Sequence, residues 1–292
     1  MARSYLFIPG NNPAMLQNAD VFGADALILD LEDAVAPAEK DAARFLLSAF
    51  LESRQKGEEK IYVRINGLDT PWAEADLDAV VSEAIDGIVL PKAGVAEISR
   101  LSVLLHLRET KRGMTKKMGI VPIVELARAV LETDEIARQS RLHGILLGAE
   151  DLTADMDLER TKEGKEIAYP RARVAFACKA FKIDAIDTPF TDTNDEEGLL
   201  ADCQNALTLG MDAKAAIHPN QLEILHRTFS PSPKRIEWAL RVREAFRRAE
   251  ASGQGVFSLD GKMVDKPVLA RAEKILSAAA RFGLLPEDGH ED

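Results

Sequence analysis

Short apolar runs recur along the chain. Each ends in a polar or Gly/Pro exit and is followed by a stretch of helical periodicity. The runs fall at residues 5–8, 26–29, 61–65, 87–90, 120–124, 145–147, 185–186 and 215–217. Their exits carry most of the chemistry-bearing side chains. Asp30, Glu32 and Asp33 follow the second run, and Arg64 and Asn66 close the third. Lys92 follows the fourth, Glu125 the fifth and Glu150-Asp151 the sixth, with His218 after the eighth. Between the runs, helical spacing predicts helices at 13–22, 40–51, 71–84, 96–108, 127–139, 169–181 and 195–209. The third of these opens under Thr70 as N-cap, with Pro71 at the first helical position.

Strands buried on both faces that alternate with helices make a parallel sheet. Eight alternations predict an α/β fold of the closed (β/α)8 type, a TIM barrel. An open doubly wound sheet is the alternative, weakened because no Gly-rich dinucleotide fingerprint follows the first strand. Past residue 221 the pattern changes. A helix rich in Arg and Glu is expected at 233–251, a hairpin at 256–264 about Asp260-Gly261, and a last helix at 267–282, with a frayed tail at 286–292. The expected division is a barrel over 1–221 and a C-terminal helical and hairpin extension over 222–292, acting as a lid or oligomer-contact arm.

Composition narrows the class. With 46% hydrophobic and 29% charged residues, the 292-residue chain can bury a full core and stay soluble. No apolar run approaches the length of a membrane span, and residues 5–8 are too short a run for a secretion signal. Cys178 and Cys203 lack ligand spacing and read as reduced core residues of a cytoplasmic protein. A net charge of −11 argues against nucleic acid as the main partner. Lys111, Arg112, Lys116 and Lys117 form a basic run that reads as a solvated loop, with a phosphate contact as the alternative.

In a closed barrel the C-terminal strand ends share one face, where active sites sit. Asp33, Arg64, Lys92, Glu125, Asp151 and His218 would meet there from distant parts of the chain. Glu125 and Asp151, on adjacent strands and without Cys or paired His, suit a hard cation, Mg2+ or Mn2+. The plainer reading is that each caps the helix after it. Arg64 either grips a substrate carboxylate or pairs internally with Glu32 or Asp33. Of the crowded Asp30, Glu32 and Asp33, one is expected in solvent and one supporting the site. Lys92 reads as their neutraliser, His218 as a turn residue before a base, and Asp265 as an acid at a helix start.

The chain resembles the citrate lyase β subunit group, within the wider family of malyl- and citramalyl-CoA lyases. The similar segments begin at Arg3 (Arg-Ser-Tyr-Leu-Phe-Ile-Pro-Gly-Asn), Asp30 (Asp-Leu-Glu-Asp-Ala-Val), Val63 (Val-Arg-Ile-Asn-Gly-Leu-Asp) and Val89 (Val-Leu-Pro-Lys). Others begin at Leu147 (Leu-Gly-Ala-Glu-Asp), Thr161 (Thr-Lys-Glu-Gly-Lys-Glu), Ile217 (Ile-His-Pro-Asn-Gln) and Ser258 (Ser-Leu-Asp-Gly-Lys-Met-Val-Asp-Lys-Pro-Val). The resemblance implies Mg2+ held by Glu125 and Asp151. It implies that Arg64 holds the oxo-acid part of the substrate, and that Asp265 reaches a neighbouring subunit's site as an acid/base. It also implies a trimer or a multiple of one. The expected reaction is cleavage of a citryl thioester, on CoA or an acyl carrier protein, to oxaloacetate and an acetyl thioester. Citrate lyase α and acyl-carrier subunits are the expected partners. A free-standing citramalyl- or malyl-CoA lyase is the alternative, and a non-catalytic oxo-acid or CoA binder the third reading. Leu126, where relatives often carry Thr or Ser, is a departure that bears on pocket shape.

Overall fold

The computed structural model describes residues 2–54, 57–251, 257–259 and 262–285. It forms two compact units, Met1–His226 and Arg227–Asp292. The sequence pattern puts that division after residue 221; the structure puts it inside a helix, after His226.

The first unit is a closed barrel of eight parallel strands in sequential order, with β1 hydrogen-bonded to β8. The strands are β1 (Ser4–Pro9), β2 (Ala26–Asp30), β3 (Lys60–Arg64), β4 (Gly87–Leu90), β5 (Gly119–Val124), β6 (Gly144–Leu147), β7 (Asp184–Asp187) and β8 (Ala213–Ala216). The helices of this unit are α1 (Pro13–Gln17), α2 (Lys40–Ser53), α3 (Ala73–Val80), α4 (Val95–Lys111), α5 (Ala127–Leu131) and α6 (Thr133–Ala137). They continue with α7 (Ala149–Asp155), α8 (Ala168–Phe181) and α9 (Glu196–Leu209), and α10 (Leu222–Phe229) is the helix in which the division falls. The expected TIM barrel is present, and every predicted strand has its counterpart.

The apolar runs are strands because both of their faces are buried. Inward-facing residues including Tyr5, Ile28, Tyr62, Val121, Ile123, Leu146 and Ile186 form one continuous cluster. The outward-facing alternates, such as Leu27, Leu29, Ile88 and Ile145, are fully buried as well. α9 shows how the helices are punctuated. The Asp195 carboxylate accepts from the amide of Gly198 at 2.9 Å, and Gly210 ends the helix with φ +98°.

The helix expectations need correction in three places. Residues 13–22 are not one helix: α1 stops at Gln17, where the Asn18 side chain donates to the carbonyl of Ala14 at 2.8 Å, and a 3-10 turn follows over Ala19–Val21. Thr70 does not cap α3, since its hydroxyl donates to the Gly67 carbonyl at 2.7 Å and α3 begins at Ala73. Residues 127–139 break into α5 and α6, where the Thr133 hydroxyl bonds back to the carbonyls of Ala129 and Val130.

The second unit comprises α11 (Pro233–Ala251), β9 (Phe257–Leu259), β10 (Lys262–Val264) and α12 (Lys266–Arg281). Its core joins Ile236, Ala239 and Val242 of α11 to Ala272, Ile275, Leu276 and Ala279 of α12. β9 and β10 pair antiparallel with Leu259 opposite Lys262. The expected Asp260-Gly261 turn and the tail from 286 lie outside the described residues.

The barrel leaves little room where β4 meets β5. A Cβ on Gly87 would lie 2.4 Å from the carbonyl oxygen of Gly119. Backbone on both sides must shift to accept it. Gly87→Ala is expected to lose about 1–3 kcal/mol of stability, read from a urea titration against the wild-type chain.

Candidate active site

A cavity of about 330 Å³ opens at the C-terminal ends of the barrel strands. Its polar wall holds Asp30, Asp33, Arg64, Glu125, Glu150 and Asp151. Its apolar wall includes Phe7, Ile123, Leu146 and Ile217, with Thr188 and Pro189 beside them. The barrel therefore brings Arg64, Glu125, Asp151 and Asp33 together, as residues at matching strand ends must be.

Glu125 follows directly on β5 and is 2% exposed. One of its oxygens accepts the backbone N–H of Lys92 at 2.5 Å. Lys92 achieves this with φ +48°, a left-handed conformation uncommon for a non-glycine residue and strained by about 1–3 kcal/mol. On the other side lies Gly148. A Cβ there would sit 2.6 Å from both the Glu125 Cβ and its second carboxylate oxygen, so only glycine leaves the carboxylate room. Burial pushes the Glu125 carboxyl up to about 8, the Lys92 amide opposing and the Asp151 charge adding.

Neither acid is a helix cap. The N-cap of α5 is Leu126, and the amide of Ala127 is taken by Asp155 at 2.8 Å. The N-cap of α7 is Gly148, which puts Asp151 at the third helical position, exposed toward the cavity mouth. The capping readings of Glu125 and Asp151 are thus overturned, because each following helix starts at a residue other than the acid.

Arg64 is heavily engaged. It grips Asp30 through two bonds of 2.7 and 2.6 Å, pairs with Glu32 at 2.8 Å, and lies 3.6 Å from Asp33. Its guanidinium carbon sits 5.0 Å from the Phe7 ring centre. Burial works against the Arg64 charge, but the Asp30 carboxylate more than offsets it and raises the Arg64 pKa. Burial likewise pushes Glu32 up to about 7, Arg64 opposing and Asp33 adding. Glu32 is largely enclosed, whereas the Asp33 side chain is 69% exposed. Asp30 is the principal partner that sequence reasoning did not pair with Arg64. The signal was available in the register, which sets Asp30 directly opposite Arg64.

The remaining candidates lie elsewhere. His218 is exposed, and its Nδ1 accepts from the amide of Asn220 at 3.2 Å within a short turn. The Lys92 side chain is exposed, and its amide is the part that meets a carboxylate. Asp265 belongs to the second unit, where its carboxylate accepts the amide of Val268 at 3.2 Å and caps α12. Cys178 and Cys203 are fully buried, and burial pushes both thiols up to about 12. In the basic run, Arg112 is spent on the carbonyls of Val81 and Asp78, and Lys116 pairs with Asp86 at 2.9 Å. No helix among the described residues is long and apolar enough to cross a membrane.

The donor set suits one kind of cation. Among the described residues no group of three or more His, Cys, Asp or Glu forms a closed metal cluster. Two carboxylates facing an open cavity match a hard divalent ion that keeps positions for water and substrate. A buried carboxyl that holds its proton to about pH 8 is one that a nearby positive charge would relieve.

A parallel (β/α)8 barrel with acids and one arginine gathered at its strand ends has the layout of a barrel enzyme site. The match to known proteins narrows that class. Residues 3–219 match the HpcH/HpaI aldolase/citrate lyase family, and the chain belongs to it. It is 40% identical to the citrate lyase subunit beta of Leuconostoc mesenteroides subsp. cremoris, over 99% of this chain and 97% of that one. It is 37% identical to a (3S)-malyl-CoA thioesterase of Cereibacter sphaeroides, over 95% and 94% of the two chains. The crystal structure of CitE from Mycobacterium tuberculosis in complex with magnesium, acetoacetate and coenzyme A superposes with a TM-score of 0.78. That protein is 33% identical, and the match covers 96% of this chain and 98% of the other.

Because the Glu125 pKa is raised on folding, the folded metal-free chain binds a proton that the unfolded chain has lost. This stabilisation is complete below about pH 4.5 and disappears as pH rises through about 8. The slope from this one group approaches ~1.4 kcal/mol per pH unit within that window. In EDTA, Glu125→Gln is therefore expected to gain on the wild type as pH rises from 5 to 8.5, with thermal melts at matched pH as the measurement. A gap that stays constant with pH would contradict the burial of a protonated Glu125.

Proposed function

We propose that this protein is a Mg2+-dependent carbon–carbon lyase that cleaves a citryl thioester to oxaloacetate and an acetyl thioester. The observation that carries the reading is that Glu125 and Asp151 line one cavity together with the largely enclosed Arg64. The 40% identity to a citrate lyase subunit beta, over nearly the whole chain, supports the choice of acyl group.

Glu125 and Asp151 would hold the ion, with its remaining positions open to water and substrate. A bound Mg2+ supplies Lewis-acid polarisation of the substrate hydroxyl and its neighbouring carboxylate. Arg64 orients the oxo-acid half and stabilises charge on the forming carbonyl, with Asp30 and Phe7 holding its guanidinium in place. Glu32 and Asp33 balance that cation from its other side. The reaction is a retro-Claisen cleavage. The hydroxyl loses its proton to a base and the C–C bond breaks. Its electrons pass into the thioester enolate, and the enolate carbon takes a proton. Asp265 is the acid we assign to that last step, from the second unit of a neighbouring copy in a trimer or a multiple of one. The apolar wall of Phe7, Ile123, Leu146 and Ile217 keeps water from the reacting carbon. The carrier is CoA or an acyl carrier protein. With a carrier protein, α and acyl-carrier subunits would complete the complex in the cytoplasm.

A second reading is a free-standing lyase for malyl- or citramalyl-CoA. The 37% identical (3S)-malyl-CoA thioesterase favours it, because that relative's name shows CoA thioesters of smaller acyl groups within the same range of similarity.

Asp151→Ala is expected to lose at least about 10³-fold in Mg2+-dependent kcat while its circular dichroism and melting remain wild-type. Full activity in that variant would end the metal assignment. Arg64→Lys keeps the charge but not the two-pronged bond to Asp30, and is expected to lose about 10²-fold or more in kcat/KM. For Asp265, turnover in D2O is the check: the wild type should place deuterium in the acetyl methyl group and Asp265→Asn should not release product at a comparable rate. Unchanged rate and labelling in Asp265→Asn would remove it from the reaction.

A further inference from the structure

Between the barrel wall at β7 and β8 and the helices α8 and α9 lie four buried charges that the proposed reaction does not use. Arg171 of α8 pairs with Asp187 at 2.8 Å and with Asp202 at 2.6 Å. Lys214 of β8 pairs with the same two carboxylates at 2.6 and 2.5 Å. All four side chains are at most 1% exposed. Such clusters are poor stabilisers, because apolar side chains of similar volume usually serve as well or better. Their value must then lie in what they hold.

The third hydrogen bond of the Lys214 ammonium shows what that is. It donates to the backbone carbonyl of Thr188 at 2.7 Å. Thr188 follows β7 and lines the cavity. Its hydroxyl oxygen accepts the backbone N–H of Ala149 at 3.2 Å. Ala149 is the first residue of α7, two before Asp151. The bond meets a specific need. A helix start leaves its first amides without partners, and a side chain at the N-cap ordinarily answers one of them. Here the N-cap must be Gly148, since any Cβ would strike Glu125. A glycine has no side chain to offer, and Thr188 supplies the missing acceptor from the neighbouring strand.

We infer that Thr188, anchored by Lys214, is a positioning residue that fixes the first turn of α7 and so sets Asp151 relative to Glu125. The inference rests on the reading of Asp151 as a metal ligand for its consequence, but not for the tie itself. Its cause runs backward along the same contacts. The close seat of Glu125 excludes a local cap, the cap comes from β7, and the buried charges hold β7 to β8 and α9.

The test uses the full chain with Mn2+ as probe. Amide exchange of residues 149–152 is followed by mass spectrometry in EDTA, and Mn2+ affinity by electron paramagnetic resonance. Thr188→Val removes the acceptor at nearly constant shape and leaves the four charges paired, so the result does not hang on the folding of Lys214→Met. Both variants should exchange these amides at least tenfold faster than wild type and bind Mn2+ about 10–100-fold more weakly. Thr188→Ser restores the oxygen and should return both readouts to within about twofold of wild type. Wild-type exchange at 149–152 in Thr188→Val would overturn the tie, as would failure of Thr188→Ser to restore it. A wild-type chain that binds no Mn2+ would instead remove the metal reading, and the exchange data would still decide the tie.

Discussion

Glu125 places a carboxylate where water barely reaches. Burying an unpaired charge costs several kcal/mol, so the site must either neutralise it or hold it protonated. Much of the local structure follows from seating that one side chain. Lys92 bends into a left-handed conformation to aim its amide at one oxygen. Position 148 must be glycine to admit the other. Because glycine cannot cap, α7 borrows Thr188 from β7. A strained lysine, an obligatory glycine and a cap reached across strands each carry a cost. They persist together because a buried, proton-hungry carboxyl beside Asp151 is a place where a cation can gain what the protein alone does not supply.

Across the cavity the balance has the opposite sign. Arg64 is the largely enclosed cation there, and three acids from the end of β2 and the loop after it surround it. Asp30 fixes the guanidinium in its plane and Phe7 supports its face. Lys40 holds the loop itself, donating to the carbonyls of Leu31 and Glu32 at 2.7 Å each. A guanidinium locked in this way loses little freedom when it meets a substrate, which is how a preorganised electrostatic group works.

The barrel was plain in the sequence because strands buried on both faces leave continuous apolar runs, and eight of them alternate with helices. Matching strand ends then grouped Arg64, Glu125 and Asp151 without any contact being known. What stayed hidden depended on pairings that periodicity does not encode. The link from Asp30 to Arg64 needs the β2–β3 register. Lys214 sits among alanines in a buried strand, and that lone charge was the clue to the network, but its partners lie 12 and 27 residues away. Helix ends were misjudged where short polar side chains took backbone bonds for themselves, as at Asn18, Thr70 and Thr133. The reading of Asp151 as a cap failed because Glu125 had already decided that the cap would be glycine.

The most direct measurement is oxo-acid release by the purified chain with Mg2+. Citryl-CoA, both citramalyl-CoA stereoisomers and malyl-CoA would be offered in parallel, each with an EDTA control. The account predicts oxaloacetate from citryl-CoA, abolished by EDTA, with little turnover of the others. Pyruvate or glyoxylate as the main product would contradict the choice of acyl group, and release unaffected by EDTA would contradict the role given to Glu125 and Asp151.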